Sequence, residues 1–169
     1  MRLYHGSNQG IEKPKLFPAA RALDFGNGFY LTSDFEQAKK WSILTVKRRG
    51  EGSPIVSVFK VDEEKLNQLN ILRFDGPNVE WLRYVSSNRK SMNFNDRRDI
   101  VVGPVANDNT IPVLNLYLKG AYNEDEAIKR LMPQKLKDQY VFKTEEAVSI
   151  LKLIEEKYEK NVSRNIRLL

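Results

Sequence analysis

His5 is the single histidine of the 169-residue chain, and it stands in the run Tyr4-His5-Gly6-Ser7. A histidine at a strand-to-turn junction can exchange a proton or hydrogen-bond a hydroxyl, and a following glycine leaves backbone amides open to a ligand. The same histidine would equally serve as a hydrogen-bonded structural residue. Further along, Asp24-Phe25-Gly26-Asn27-Gly28 is turn chemistry, with two glycines free to take positive φ or to admit a ligand to the backbone. It is followed by the apolar run Phe29-Tyr30-Leu31 and, eleven residues after Tyr30, by Trp41. If the chain turns back between them, two rings face each other across a slot that suits a flat ring ligand. Core packing is the alternative for both rings. Arg21, just before the turn, has the geometry to clamp a phosphate, or is a solvated charge.

These residues need elements to hold them. Arg2 to His5 reads as an opening strand with a turn at Gly6-Ser7-Asn8. Phe29-Leu31 reads as a short buried strand. Ser33 with Glu36 has the form of a capping box, which starts a helix running through Trp41, Leu44 and Val46. Lys47 to Ser53 reads as a basic, glycine-rich loop, and Pro54–Val61 as a strand rich in β-branched residues. A helical turn over Glu63–Leu69, a strand over Asn70–Phe74 and a helix over Val79–Val85 follow, then a polar, basic stretch from Ser86 to Arg98. Asp99 heads a strand closed by Gly103-Pro104. Ile111 to Leu118 is apolar but holds Pro112, and its structure stays open. Asn123 caps a helix to Leu131, and Asp138–Phe142 is a strand. Thr144 caps a last helix, whose face is Ala147, Ile150, Leu151, Ile154 and Tyr158, with a tail that frays beyond Glu159. Short strands and helices without regular alternation argue for an α+β fold. The expected organisation is one domain over 1–143, with the 144–169 helix packed on it.

The composition bounds the chemistry. Hydrophobic residues make up 41% and charged residues 30%, as in an ordinary globular chain. The absence of cysteine removes disulfides, thiol catalysis and cysteine zinc sites, and one histidine weighs against a histidine metal site. No apolar run reaches the roughly 18 residues of a transmembrane helix. The N-terminus has no signal-peptide pattern, which points to the cytoplasm. A net charge of +6 favours an anionic partner such as a nucleotide, RNA, DNA or an acidic protein. Neither GxGxxG nor GxxxxGK[ST] occurs.

Taken in order, Tyr4-His5-Gly6-Ser7, Gly28-Phe29-Tyr30-Leu31-Thr32 with Trp41, and Asp138-Gln139-Tyr140-Val141-Phe142 resemble the three motifs of the ADP-ribosyltransferase superfamily. The branch is the one that includes diphtheria toxin and the poly(ADP-ribose) polymerases, and the chain also resembles a bacterial, stand-alone branch of that clan. The resemblance implies a split, mixed and antiparallel β-core flanked by helices, with NAD in a cleft as substrate and no metal. It implies that His5 bonds the nicotinamide-side ribose, that the Gly6 backbone binds the carboxamide, and that Tyr30 and Trp41 stack the nicotinamide. Ser7, Gly28 and Phe29 complete the motifs, and Arg21 would hold the pyrophosphate. The implied reaction transfers ADP-ribose to a macromolecule and releases nicotinamide, through positive charge at the anomeric carbon as in glycoside hydrolysis.

One departure matters. The family places Glu where this chain has Gln139, and a glutamine accepts a hydrogen bond but supplies neither charge nor a base. Asp99, Asp24 and Asp138 are the candidate acids; Asp99 is preferred because it heads a strand, whereas Asp138 should face away from Gln139. Lys137, where arginine-modifying members carry an acid, argues against arginine as acceptor. The expected function is therefore mono-ADP-ribosyl transfer, toxin-like or regulatory. Lys47, Arg48, Arg49, Arg89, Lys90, Arg97 and Arg98 offer contacts for an RNA or DNA acceptor, and the resemblance implies a neutralising partner protein. The alternatives are a catalytically weak NAD-binding module on the same scaffold and a basic RNA-binding domain with no nucleotide site.

Overall fold

A computed structural model describes residues 1–18, 21–91, 94 and 96–158. Their elements run β1 (Arg2–Ser7), β2 (Phe29–Leu31), α1 (Phe35–Arg49), β3 (Ile55–Val61), α2 (Glu63–Leu66), β4 (Ile71–Arg73) and α3 (Val79–Lys90). Then come β5 (Ile100–Pro104), α4 (Ile111–Leu118), α5 (Glu124–Leu131), β6 (Asp138–Phe142), α6 (Glu145–Ser149) and β7 (Leu151–Tyr158). The fold is α+β. The strands form a three-stranded antiparallel sheet in the order β1-β3-β7 and a four-stranded mixed sheet in the order β2-β6-β5-β4, in which only β4 and β5 run parallel.

The sheets meet at one point. Tyr4 and Thr32 exchange both backbone hydrogen bonds, at 2.9 and 3.0 Å, and on either side of that bridge the sheets are separate. One apolar core lies between them, built from Leu3, Phe59 and Leu151 of the first sheet and Phe29, Leu31, Ile100 and Phe142 of the second. The alternation of β5 sends Ile100 and Val102 into this core and Val101 to the other face. There Val101 and Val141 meet Trp81, Leu82 and Val85 of α3, Leu114 of α4 and Ala127 and Leu131 of α5 in a second core. Among the described residues no helix is long and apolar enough to cross a membrane.

The sequence pattern and the structure part company in four places. Helix α1 is capped by Asp34, whose carboxylate accepts from the Gln37 amide at 2.8 Å; Ser33 instead gives its amide and hydroxyl to Asp138. Lys47–Arg49 and Ser86–Lys90 are the last turns of α1 and α3 rather than loops, with basic side chains placed against the negative helix ends. The segment 111–118 is helical, because Pro112 falls in the first turn, where its missing N–H costs nothing.

The largest correction is at the C-terminus. Thr144 does cap a helix, but α6 ends at Ser149, and the chain continues as β7 along the open edge of β3. The helical spacing of Ile150, Leu151 and Ile154 arises because the β7 ladder has an extra residue. Leu153 faces Phe59 and Glu155 faces Val58, which leaves Ile154 as a bulge between them, exposed. The expected tail beyond Glu159 lies outside the described residues.

Candidate functional site

Beyond the Tyr4–Thr32 bridge, β1 and β2 diverge, and the gap opens into a cleft of about 830 Å³, a size that holds a dinucleotide-scale ligand. Its wall on one side is the face of α1 carrying Trp41, Leu44, Thr45 and Arg48, and on the other the face of α4 carrying Ile111, Asn115 and Leu118. Its floor is formed by His5, Gly6, Tyr30 and Gln139.

Strand parity sets the backbone of the floor. Successive residues of a strand aim their N–H and C=O groups to opposite sides. Met1 and Tyr4 fix the phase: the Met1 carbonyl accepts from Val61 on β3, whereas Tyr4 turns both groups to Thr32. Gly6, two residues beyond Tyr4, therefore turns its N–H and C=O toward the gap, where β2 no longer follows β1. His5 and Gly6 stand inside β1, not at its end, since pairing with β3 continues to Ser7. The lack of a side chain at Gly6 has a packing reason too. A Cβ there would lie 1.9 Å from the Ala38 carbonyl oxygen and 2.8 Å from the Ser42 amide of α1.

The histidine is held in one tautomer. Its Nδ1 lies 2.7 Å from the Tyr30 carbonyl oxygen, which can only accept, so Nδ1 carries the proton and Nε2 offers a lone pair. Phe29 stacks behind the imidazole at 4.2 Å and 22°. Burial pushes the His5 pKa down, against the opposing pull of the Tyr30 carbonyl. The Tyr30 hydroxyl donates to the Gly26 carbonyl at 2.6 Å and accepts from the Phe25 amide at 3.3 Å, so the ring that lines the cleft also ties down the turn before β2. Burial raises its pKa, and the neighbouring Asp24 charge adds to this.

Gln139 is buried on the cleft floor, and its Nε2 donates to the Pro104 carbonyl at 3.1 Å. Trp81 Nε1 donates to the same oxygen at 3.0 Å. That bond orients the amide, leaving Oε1 as the acceptor end. Asp138, its neighbour, points away and accepts from Thr32 Oγ1 at 3.0 Å and the Ser33 amide at 2.8 Å. Asp24 lines the cleft and is held by Arg89 of α3, Nε to Oδ1 at 2.7 Å, with both side chains about four-fifths buried.

The structure thus brings His5, Gly6, Ser7, Arg21, Tyr30, Trp41 and Gln139 to one cleft. No ring contact joins Tyr30 and Trp41 among the described residues; each lines the cleft separately. Three expected site residues are elsewhere. Asp99 stands at the end of β5 opposite the cleft, accepting from the Asn70 amide at 2.9 Å and Thr144 Oγ1 at 2.8 Å. Phe29 is buried behind His5. Gly28 packs on β6, where a Cβ would lie 2.5 Å from Val141; of the two turn glycines only Gly26 takes positive φ, at 77°.

Of the basic residues, Arg48, Arg49 and Arg89 line the cleft, as does Arg21. Lys47, Lys90, Arg97 and Arg98 do not; Arg98 donates to Asn70 Oδ1 at 2.8 Å, near Asp99. Desolvation and the nearby Arg21 and Arg49 charges hold Arg48 below the usual guanidinium range. The α4 wall was missed in the sequence because Pro112 hid the helix; apolar residues at 111, 114 and 118 were its signal. Among the described residues no group of three or more metal-ligating side chains is present.

No curated protein and no solved structure matches the chain. A family model described as "Protein of unknown function (DUF3990)" matches residues 1–153, and the chain belongs to that family.

Proposed function

We propose that this chain is an NAD-dependent mono-ADP-ribosyltransferase that passes ADP-ribose to a macromolecule and releases nicotinamide. The observation that carries the reading is the convergence of His5, Gly6, Tyr30, Trp41 and Gln139, from four elements spread over more than 130 residues, on one cleft. Their chemistry complements the nicotinamide riboside half of NAD. The N–H and C=O of Gly6 are a donor and an acceptor side by side, the pattern that a primary carboxamide satisfies. His5 Nε2 and Gln139 Oε1 are two acceptors, suited to the two ribose hydroxyls. Tyr30 and Trp41 give flat apolar walls for the pyridine ring. Arg21, Arg48 and Arg49 have no ion-pair partner among the described residues and give the rim the charge to take a pyrophosphate and an acidic or nucleic-acid acceptor. An intracellular, toxin-like or regulatory role with a neutralising protein partner goes with this reading.

A second reading follows from Gln139: a module that binds NAD and transfers it poorly, because the acid expected at that position is an amide. Incubating the protein with labelled NAD and cell lysate, then separating protein from nucleic acid, distinguishes the two. Transfer predicts label in one fraction and free nicotinamide. Binding alone predicts protected NAD, unlabelled fractions and no nicotinamide.

A further inference from the structure

Building on the nucleotide reading above, we propose that Asp24, on the loop before β2, is the catalytic carboxylate of this cleft and takes the part that Gln139 cannot play. Breaking the bond between C1′ and nicotinamide leaves positive charge on the ribose, so the site needs a fixed negative charge beside it. Among the described residues that line the cleft, Asp24 is the one acidic side chain. Asp99 lies at the far end of β5 and Asp138 on the other face of β6, each fully engaged in structural hydrogen bonds.

Asp24 is also held rigidly, as a catalytic group must be. Arg89 holds Oδ1 at 2.7 Å. The next residue, Phe25, is fully buried in the second core, and its carbonyl accepts from Lys143 Nζ at 2.9 Å. Lys143 is in turn paired with Asp96 at 3.4 Å, with both side chains about nine-tenths buried. One residue further, the Gly26 carbonyl takes the Tyr30 hydroxyl, and the Gly26 amide closes the turn on Leu23 at 3.1 Å. The loop is thus pinned at once from α3, from β2 and from Lys143, the residue after β6. Its acid sits near the Tyr30 ring, the wall assigned to nicotinamide, closely enough for its charge to raise the tyrosine pKa. Arg89 is a positioning residue: it orients the carboxylate by one contact and itself lines the cleft.

The step balances as follows. The C1′–N bond breaks with its electron pair going to the pyridine nitrogen, and nicotinamide leaves as a neutral molecule. The Asp24 carboxylate stabilises the positive charge at C1′. A hydroxyl of the acceptor, or water, forms the new C1′–O bond, and its proton passes to Asp24 and then to solvent.

The test compares the whole chain with its Asp24→Asn and Asp24→Glu variants, measuring NAD binding by calorimetry and nicotinamide release by chromatography. Asp24→Asn should slow release by roughly 100-fold or more, while the dissociation constant for NAD stays within about threefold, since ground-state contacts are kept. Asp24→Glu should recover part of the rate. Because that variant leaves Arg89 without its partner, the double variant Asp24→Asn/Arg89→Met carries the test if the single one melts early, and it too must bind NAD but not turn it over. Release by Asp24→Asn or the double variant at the wild-type rate overturns the proposal, and so does a wild-type protein that binds NAD without releasing nicotinamide. A wild-type protein that binds no NAD instead defeats the nucleotide reading itself.

Discussion

Replacing Gly6 by Ala tests the part of the account in which fold and site depend on the same atoms. The new methyl would lie 1.9 Å from the Ala38 carbonyl oxygen and 2.8 Å from the Ser42 amide nitrogen. Both obstacles are backbone of α1, and Ala38 and Ser42 are themselves fully buried, so no side chain can swing aside. The helix has to withdraw from β1 by more than 1 Å to restore normal contact, and this pulls apart the wall that carries Trp41. Overpacking of this kind costs about 2–3 kcal/mol, the upper part of the usual range. In a domain of this size each kcal/mol lowers the midpoint by about 2–4 °C, so Gly6→Ala should melt about 4–12 °C early. Gly76→Ala is the control, because a Cβ there meets nothing within 4 Å and the residue has no positive φ; its stability should stay within about 0.5 kcal/mol of wild type. The assay is thermal and urea unfolding followed by circular dichroism. A Gly6→Ala midpoint within 2 °C of that of Gly76→Ala, an order-of-magnitude threshold set by about 0.5 kcal/mol, would refute the close packing of α1 on β1.

Further outcomes follow from single contacts. Gln139→Glu, which puts a carboxylate at that position, should destabilise the protein by about 1–3 kcal/mol, since it removes the donor to Pro104 and buries a charge against a carbonyl oxygen; equal urea midpoints for the two proteins would contradict this. Asp138→Ala releases the Thr32 and Ser33 donors that tie β6 to the β2–α1 junction, and unfolding should show a loss of about 1–3 kcal/mol. The His5 pKa is lower in the folded than in the unfolded chain, so the folded state binds fewer protons. Its contribution is therefore complete above the unfolded value near 6.5 and is lost as pH falls from there through the lower folded value. Urea midpoints at pH 7.5 and 5.5 should show this loss in the wild type, and it should shrink in His5→Gln; identical drops in both proteins would assign it to other groups.

Much of the site was legible because it depends on short-range spacing. Tyr30 and Trp41 are separated by a strand end, a cap and two turns of helix, and any such segment carries both rings to the same side when the helix folds back on its strand. His5-Gly6-Ser7 could be read for the same reason, although its pairing with β3 to Ser7 could not. What escaped the sequence is long-range. Asp99 and Asp24 differ little as local patterns; only the topology places one at the far end of β5 and the other beside Arg89, 65 residues away. The β7 strand was hidden by its bulge at Ile154, which shifts a two-residue period into something close to a helical one. The side of β3 that β1 leaves unpaired, invisible in the local sequence, decides the outcome by taking β7. The capping-box pattern pointed to Ser33, but Asp138, distant in sequence, takes both donors of Ser33, and Asp34 caps the helix instead.

The central claim is that the nicotinamide ring lies between Tyr30 and Trp41 with its amide on Gly6, and a titration of NAD into isotope-labelled protein followed by nuclear magnetic resonance tests it most directly. The chain has two tryptophans, so two indole N–H signals report on two places: Trp41 in the cleft and Trp81 in the second core, bonded to Pro104. The account predicts saturable shifts of the Trp41 indole, the Gly6 amide and the His5 ring, with the Trp81 indole nearly still. Shifts that leave Gly6 and Trp41 in place, or no shifts at all with millimolar NAD, the weak end of binding near −4 kcal/mol, would contradict it.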